Sequence, residues 1–139
     1  MKILQRTILL GFVGLLCCAC SSQKYNLSKT IWFNFSPAEK DGQKGSVVTS
    51  LYFTSENTVD IYSSVVVDTM VLVKPFMWAK GKYSTLGSSR QGTDLSIEAV
   101  TLKKDTVLYR GMYQKDMTMI LVSDSVANVF NIMPDVQLP

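Results

Sequence analysis

The hydrophobic and polar positions alternate in short runs along most of the chain, and this pattern predicts β-strands. The runs are rich in Val, Ile, Thr, Tyr and Phe, and clusters of Gly, Asn, Asp and Ser separate them. The sequence has no long stretch of helical periodicity. The regular strands predicted in this way are residues 29–36, 46–54, 58–63, 76–85, 94–102, 106–113 and 117–122.

The spacing of the turns predicts how these strands are arranged. Turns recur about every ten residues, which fits an antiparallel up-and-down barrel, or a strongly curled meander, of about eight strands. In the first strand, Trp32 faces one side, whereas Ile31 and Phe33 face the other. Phe35 follows Phe33 on that second side. We expect Trp32 to be buried, because large aromatic side chains supply much of the core of a small barrel.

Two segments have a less regular pattern. Residues 65–67 (VVV) and 70–73 (MVLV) are continuous apolar runs, which predict either a strand covered on both faces or an apolar surface that something else covers. Pro75 breaks the strand or marks a sheet edge. Residues 125–133 fit a short helix or a closing strand, and we favour the strand because a barrel with an open last edge is prone to aggregate.

The beginning of the chain predicts export from the cytoplasm. Lys2 and Arg6 precede the apolar run of residues 8–16, and a region of small residues and cysteines follows it. This is the composition of a secretory signal, and the run is too short to span a membrane.

All three cysteines lie at the end of this signal, whereas a disulfide framework would spread them through the folded part. Their setting resembles a lipobox, the signal-peptidase II site of bacterial lipoproteins. Cys20 follows the small Ala19 and is our choice for the lipid-bearing residue, with Cys18 as the alternative; a secreted protein with a free thiol is the other interpretation. The resemblance implies a diacylglycerol and an N-acyl chain, such as palmitate, on Cys20, and these chains together anchor a protein stably. Ser21 follows in place of Asp, which by the sorting habit of well-known Gram-negative bacteria implies the outer membrane, facing the periplasm or the cell surface.

Together these signals divide the chain into a signal peptide, a lipidated tether, one barrel domain and a loose tail. Their bounds are residues 1–19, 20–26, 27–133 and 134–139. Within the barrel domain, charged and Gly/Ser-rich stretches predict loops at residues 37–45 and 86–93.

The composition excludes several classes of chemistry. The chain has no histidine and no cysteine after Cys20, which removes Ser-His and Cys-His sites and the common zinc ligand sets. Removing Lys2 and Arg6 with the signal leaves twelve basic against eleven acidic residues, so the mature chain is nearly neutral and no nucleic-acid partner is expected. The acidic residues are scattered, which predicts solvated charges and leaves a carboxylate-based hydrolase as the least favoured alternative. We therefore expect no catalytic residue, metal or cofactor.

Two groups of side chains could nevertheless form a site. Met117 and Met119 would share a face of one strand, with Met112 on the preceding strand, and thioethers suit Cu(I), although methionines also fill gaps in cores. Six aromatic residues could line a ligand cavity or form an ordinary core, namely Trp32, Tyr52, Trp78, Tyr83, Tyr109 and Tyr113.

Three short pieces of the chain resemble a known group of proteins. They are residues 30–32 (TIW), 51–59 (LYFTSENTV) and 81–83 (GKY). They resemble the small lipocalin-like, calycin-type β-barrel lipoproteins of gut Gram-negative anaerobes, over about residues 27–133. The resemblance implies a lipocalin-like barrel anchored through Cys20.

The sequence therefore predicts a membrane-anchored, non-enzymatic binding lipoprotein that contacts a protein or glycan partner through its surface or loops. The apolar residues 65–73 favour this interpretation. The alternative is a carrier of a small apolar or amphipathic ligand inside the barrel. A cavity lined by aromatic residues would favour the carrier, whereas a filled barrel with an exposed Val/Met strand would favour the partner.

Overall fold

The computed structural model of the protein describes residues 26–68, 70–114 and 116–132, which form a closed barrel of eight antiparallel strands. Each strand pairs with the next along the chain, and β8 returns to pair with β1. The strands are β1 (Thr30–Lys40), β2 (Gln43–Phe53), β3 (Thr58–Val67), β4 (Met70–Ser88), β5 (Thr93–Thr101), β6 (Thr106–Tyr113), β7 (Thr118–Ser123) and β8 (Val126–Ile132). The predicted all-β, up-and-down barrel of about eight strands is confirmed, and lipocalins share this architecture.

The core lies inside the barrel because alternate residues of each strand point inwards. Trp32 pairs with Leu51, Leu51 pairs with Ile61, and all three side chains are completely buried. The Trp32 indole N–H donates a hydrogen bond to Oγ1 of Thr30 at 3.0 Å, so its one polar group is satisfied. The predicted burial of Trp32 is therefore confirmed. The largest fully buried side chains are those of Trp32, Phe53, Phe130, Leu27, Leu51, Ile61, Leu95, Ile97, Met119, Leu121 and Val59.

Two inward-facing glycines allow neighbouring strands to approach closely. A Cβ atom on Gly81 would lie 2.1 Å from the carbonyl oxygen of Glu98, and one on Gly111 would lie 1.9 Å from that of Ile120. Both neighbours are backbone atoms that cannot move without shifting a strand. The curvature of the barrel at β4–β5 and β6–β7 therefore depends on glycine at these positions.

The first hairpin is longer than the sequence pattern predicted. Residues 37–45 were expected to form a loop, but β1 continues to Lys40 and β2 begins at Gln43. Between them, Asp41 and Gly42 have φ angles of 54° and 78°. An Asp-Gly pair with positive φ is the preferred two-residue turn of a tight hairpin, so the strands can remain paired up to the turn.

The fourth strand also exceeds its predicted bounds. It runs without interruption through Pro75, so the predicted break there is wrong, whereas the other prediction for Pro75, a sheet edge, is confirmed. It continues to Ser88, and β5 begins at Thr93, which shortens the predicted loop at residues 86–93. The closing strand favoured for residues 125–133 is confirmed as β8, with Phe130 in the core.

Candidate functional site

The aromatic residues that could have lined a ligand cavity lie mainly in the core. Trp32, Tyr83, Tyr109 and Tyr113 are buried, and Trp78 packs partly against the same cluster. The sixth aromatic residue pairs with Ile31 on β1 and Asp60 on β3, positions that face outwards, so Tyr52 lies on the outer surface.

The exposure of the core side chains shows that they enclose little space. A side chain that lines a cavity large enough for a ligand keeps accessible surface, because the cavity itself can admit solvent. The side chains of five residues from β1, β2, β5 and β7 are each 0% exposed, namely those of Trp32, Leu51, Phe53, Ile97 and Leu121. An eight-stranded barrel can be filled by its own side chains or can hold one small ligand, so these exposures decide between the two cases here. Around these residues the interior is a packed core.

The two tyrosines whose pKa is raised, Tyr83 and Tyr109, both lie in the core cluster. The Tyr83 hydroxyl donates a hydrogen bond to the carbonyl oxygen of Ser55 at 2.8 Å, and its ring meets the Phe53 ring edge-on with centroids 4.8 Å apart. Burial raises the pKa of Tyr83, and the nearby Glu56 carboxylate raises it further. Burial likewise raises the pKa of Tyr109. Both tyrosines therefore remain neutral well into the alkaline range.

Beyond the barrel wall, β3 and β4 continue as a paired hairpin that has one free edge. β4 pairs with β5 only from Ala79 onwards. Residues 70–77 therefore have β3 on one side, and no strand of the described part of the chain on the other. We call residues 65–67 and 70–77 the apolar arm.

The apolar arm exposes hydrophobic side chains on both of its faces. Val73 pairs with Val65, whereas Val71 pairs with Val66, so these two pairs point to opposite sides of the sheet. The exposed large apolar side chains of the arm are Met70 (65%), Val71 (58%), Leu72 (58%), Val73 (42%), Phe76 (48%) and Met77 (38%). Of the two predictions for this segment, a covered strand is wrong, and an apolar surface that the described residues leave uncovered is what the structure contains.

Irregular pairing shapes the arm. From Ile61 to Val67, β3 advances six positions, whereas β4 advances nine between the matching residues Ala79 and Met70. The three additional residues of β4 are accommodated at three register shifts in the pairing. Such bulges bend a strand and increase its twist, and they often re-aim side chains near functional surfaces.

The arm continues a sheet of four paired strands, β1 to β4. In this sheet Val48 pairs with Ser64, and both side chains are less than 8% exposed although they face away from the barrel interior.

The acidic residues are scattered over the described part of the chain. Among residues 26–68, 70–114 and 116–132, no group of three or more His, Cys, Asp or Glu residues could hold a metal ion. The most buried carboxylate is that of Asp60, which faces the outside of the barrel with Lys80 Nζ at 3.7 Å. Its Oδ1 atom accepts no hydrogen bond. A single carboxylate of this kind lacks the second acidic group that glycoside hydrolysis by a carboxylate pair uses.

The methionines predicted to share a face are separated. Met119 is completely buried, whereas Met117 is exposed in a turn with a φ angle of 68°. The strand therefore begins at Thr118 and not at Met117, because the left-handed backbone at Met117 interrupts the alternation. Met112 pairs with Ile120, the neighbour of Met119, and so faces the opposite side of the sheet. The prediction that Met117 and Met119 share a face is wrong, and Met112 on the preceding strand does not lie beside Met119.

The predicted lipid-bearing Cys20, its alternative Cys18, the signal peptide and the tail after Met133 lie outside the described residues. Within the described residues, no helix is both long and apolar enough to cross a membrane.

In comparisons with known proteins, no family model, curated protein or solved structure matches the chain. The candidate site therefore has to be judged on its own geometry. The apolar arm is the candidate because six of the fifteen exposed large hydrophobic side chains of the described residues lie within residues 70–77.

The sequence pattern indicates the hairpin of the arm but not the full extent of its exposed surface. Two continuous apolar runs separated by two residues are typical of a hairpin. Phe76 and Met77 were assigned to the next regular strand, although they belong to the exposed part of β4. Their exposure depends on the point at which β5 begins to pair, and local patterning does not encode that point.

Proposed function

We propose that this protein is a membrane-anchored, non-enzymatic binding lipoprotein, and that the apolar arm is the surface that contacts its partner. The observation that carries the proposal is the combination of a packed barrel with an uncovered arm. Side chains fill the barrel interior around Trp32 and Leu51, whereas the arm leaves Met70, Val71 and Leu72 more than half exposed. Monomeric proteins rarely leave a contiguous apolar patch larger than a few hundred Å² uncovered.

The chemistry of the arm favours a protein partner over a glycan. A glycan site needs hydrogen-bonding groups around an aromatic ring, but the exposed side chains of residues 70–73 are all aliphatic or thioether, and Phe76 is the one aromatic residue of the arm. A free strand edge can in addition pair with backbone groups, which a protein offers and a sugar does not. Methionine adapts its shape to irregular apolar surfaces and is enriched at interfaces between proteins.

The position of the arm agrees with an anchor at Cys20. β1 begins and β8 ends at the same end of the barrel, where Trp32 pairs with Ile132. The arm leaves the opposite end, because β3 runs from Thr58 towards Val67, away from the start of β1. Ten residues of strand extend about 30 Å. An N-terminal lipid anchor would therefore present the arm away from the membrane, towards a partner in solution or on another surface.

The packed interior weighs against the alternative of a ligand carrier. A ligand inside the barrel would have to displace side chains such as Trp32 and Leu51, which are completely buried. The scattered carboxylates weigh against a hydrolase in the same way.

The proposal is tested by native mass spectrometry of the full chain purified in mild detergent from the membranes of its own cells. We expect a retained protein partner, which is lost from Leu72→Asp and kept by Leu86→Asp. Leu86 is the matched control because it lies on β4 at the other end of the barrel and is 75% exposed. A retained small molecule with no protein, or equal retention of the partner by both variants, would contradict the proposal.

The anchor is tested separately. Cys20→Ala should abolish palmitate labelling and membrane retention, whereas Cys18→Ala should leave both unchanged. Labelling that survives in Cys20→Ala and disappears in Cys18→Ala would assign the anchor to Cys18.

A further inference from the structure

We propose that the barrel rests on the bilayer that holds its lipid anchor, and that the exposed side chains of Leu86 and Met117 enter the lipid surface there. The inference rests on the proposed anchor at Cys20 and adds a second contact surface, at the opposite end of the barrel from the apolar arm. We call this end, where β1 begins and β8 ends, the anchor end.

The first observation is the short connection between the proposed anchor and the barrel. Leu27 is 2% exposed and belongs to the core cluster. Directly after it, the backbone N–H of Lys29 donates a hydrogen bond to the carbonyl oxygen of Phe53 at 2.6 Å. The chain is therefore fixed to the barrel from Leu27 onwards. The seven peptide units between Cys20 and Leu27 span at most about 25 Å, so the anchor end lies within that distance of the bilayer.

This connection is shorter than the barrel wall. The eleven residues of β1 extend about 33 Å along the wall, and the arm lies beyond the far end of it. The connection therefore cannot run past the wall and turn the arm towards the bilayer. The anchor end is the part of the barrel that the lipid chains hold at the membrane.

The second observation is an apolar side chain that projects from the anchor end. Leu86 is 75% exposed. β3 begins at Thr58, which pairs with Lys82, so β4 continues four residues past its last pair with β3 before it reaches Leu86. The pairing with β5 shifts register between Thr85 and Gly87, which makes Leu86 the additional residue of a bulge. Bulges re-aim side chains, and this one leaves Leu86 uncovered beyond the turn between β2 and β3.

Met117 lies at the same end, in the turn between β6 and β7, and is 44% exposed. This turn is in contact with the turn between β4 and β5, because a Cβ atom on Gly92 would lie 2.5 Å from the carbonyl oxygen of Tyr113. The two exposed apolar side chains therefore belong to neighbouring turns. A flexible thioether and a leucine side chain can both be buried at the boundary between headgroups and acyl chains.

A weak contact is sufficient here, because the anchor already holds the barrel beside the bilayer and so raises the effective concentration of the two surfaces. The described charges in the turns of the anchor end are Lys29, Glu56, Arg90 and Asp116, two of each sign. Such a mixture gives no preference for anionic lipids. The contact should therefore form on uncharged phosphatidylcholine and persist at high salt.

The test uses the lipidated full chain, reconstituted through its anchor into phosphatidylcholine vesicles that carry a nitroxide quencher close to the headgroups. With lipid on Cys20, a cysteine introduced into the barrel is the one free thiol, so Leu86→Cys, Met117→Cys and Leu102→Cys each accept a single fluorophore. Leu102 is the matched control for Leu86, because it is 72% exposed and lies between β5 and β6 at the other end of the barrel.

The nitroxide should lower the fluorescence from positions 86 and 117 about twofold and leave that from position 102 unchanged, at low and at high salt. If the chain floats with the vesicles but position 86 is quenched no more than position 102, the inference is overturned and the anchor stands. Equal, strong quenching at both positions would likewise overturn the proposed orientation. A chain that does not float with the vesicles would contradict the anchor itself, and with it the inference that rests on it.

Discussion

Replacing Trp32 with alanine should lower the free energy of unfolding by about 3–5 kcal/mol, the range found for large aromatic truncations in cores. The side chain is completely buried in the core inside the barrel, and its strand lies between β8 and β2. A buried aromatic residue removes about 150–250 Å² from water, which at about 25 cal/mol per Å² corresponds to about 4–6 kcal/mol. Alanine keeps part of this area, and the unfolded chain already buries some of it, so about 3–5 kcal/mol remains.

The measurement is urea denaturation followed by far-ultraviolet circular dichroism. Phe35→Ala is the control, because Phe35 lies on the same strand but is 55% exposed, and its removal should cost less than about 1 kcal/mol. The free energy of unfolding of a domain is about 5–15 kcal/mol in total, so the alanine variant could fail to fold. In that case Trp32→Phe, which keeps an aromatic ring, is the variant to measure. A loss below about 1 kcal/mol for Trp32→Ala, or one equal to that of Phe35→Ala, would refute the assignment of Trp32 to the core.

Three other predictions concern the barrel. Gly111→Ala should destabilise the domain by about 1–3 kcal/mol in the same urea assay. The control Gly87→Ala should be neutral or slightly stabilising, because its new Cβ would meet only a side-chain oxygen at 3.9 Å. Equal losses in the two variants would contradict the close approach of the strands at Gly111. The free energy of unfolding should fall as the pH rises above about 10. The reason is that the pKa values of Tyr83 and Tyr109 are raised in the folded state, so that both hydroxyls keep their protons at a pH at which the same tyrosines of the unfolded chain have lost theirs. Tyr109→Phe should make this fall smaller, and an unchanged slope between pH 9 and pH 11 would show that the tyrosine is not responsible. The melting temperature should be the same with and without chelator and reductant, and a drop of several degrees with chelator alone would indicate a bound metal.

The features of the fold that follow from alternation were predictable from the sequence. Successive side chains of a strand point to opposite faces of the sheet. This local rule correctly placed Trp32 inside the barrel and Phe33 outside. The regular turns likewise predicted the number of strands. The turn at Asp41–Gly42 was also predictable from the sequence, because an Asp-Gly pair indicates a tight hairpin and not a nine-residue loop.

The features that depend on distant pairing could not be predicted. A continuous apolar run such as residues 70–73 has no period, so its sequence does not tell which face is covered. Its exposure follows from the start of β4–β5 pairing at Ala79, a contact with residues more than twenty positions away. At Met117, a single residue with positive φ ended the alternation, and nothing in the side chain of methionine indicates that conformation.

The most direct test of the central claim is site-specific photo-cross-linking of the full chain in its own cells. A photoreactive residue at position 72, in the apolar arm, should cross-link the chain to a protein, whereas one at position 86, at the other end of β4, should not. Cross-linking from position 72 to a species of twice the chain mass would identify a second copy as that protein. The absence of protein cross-links from position 72, or equal cross-linking from both positions, would contradict the account of the arm as the interaction surface.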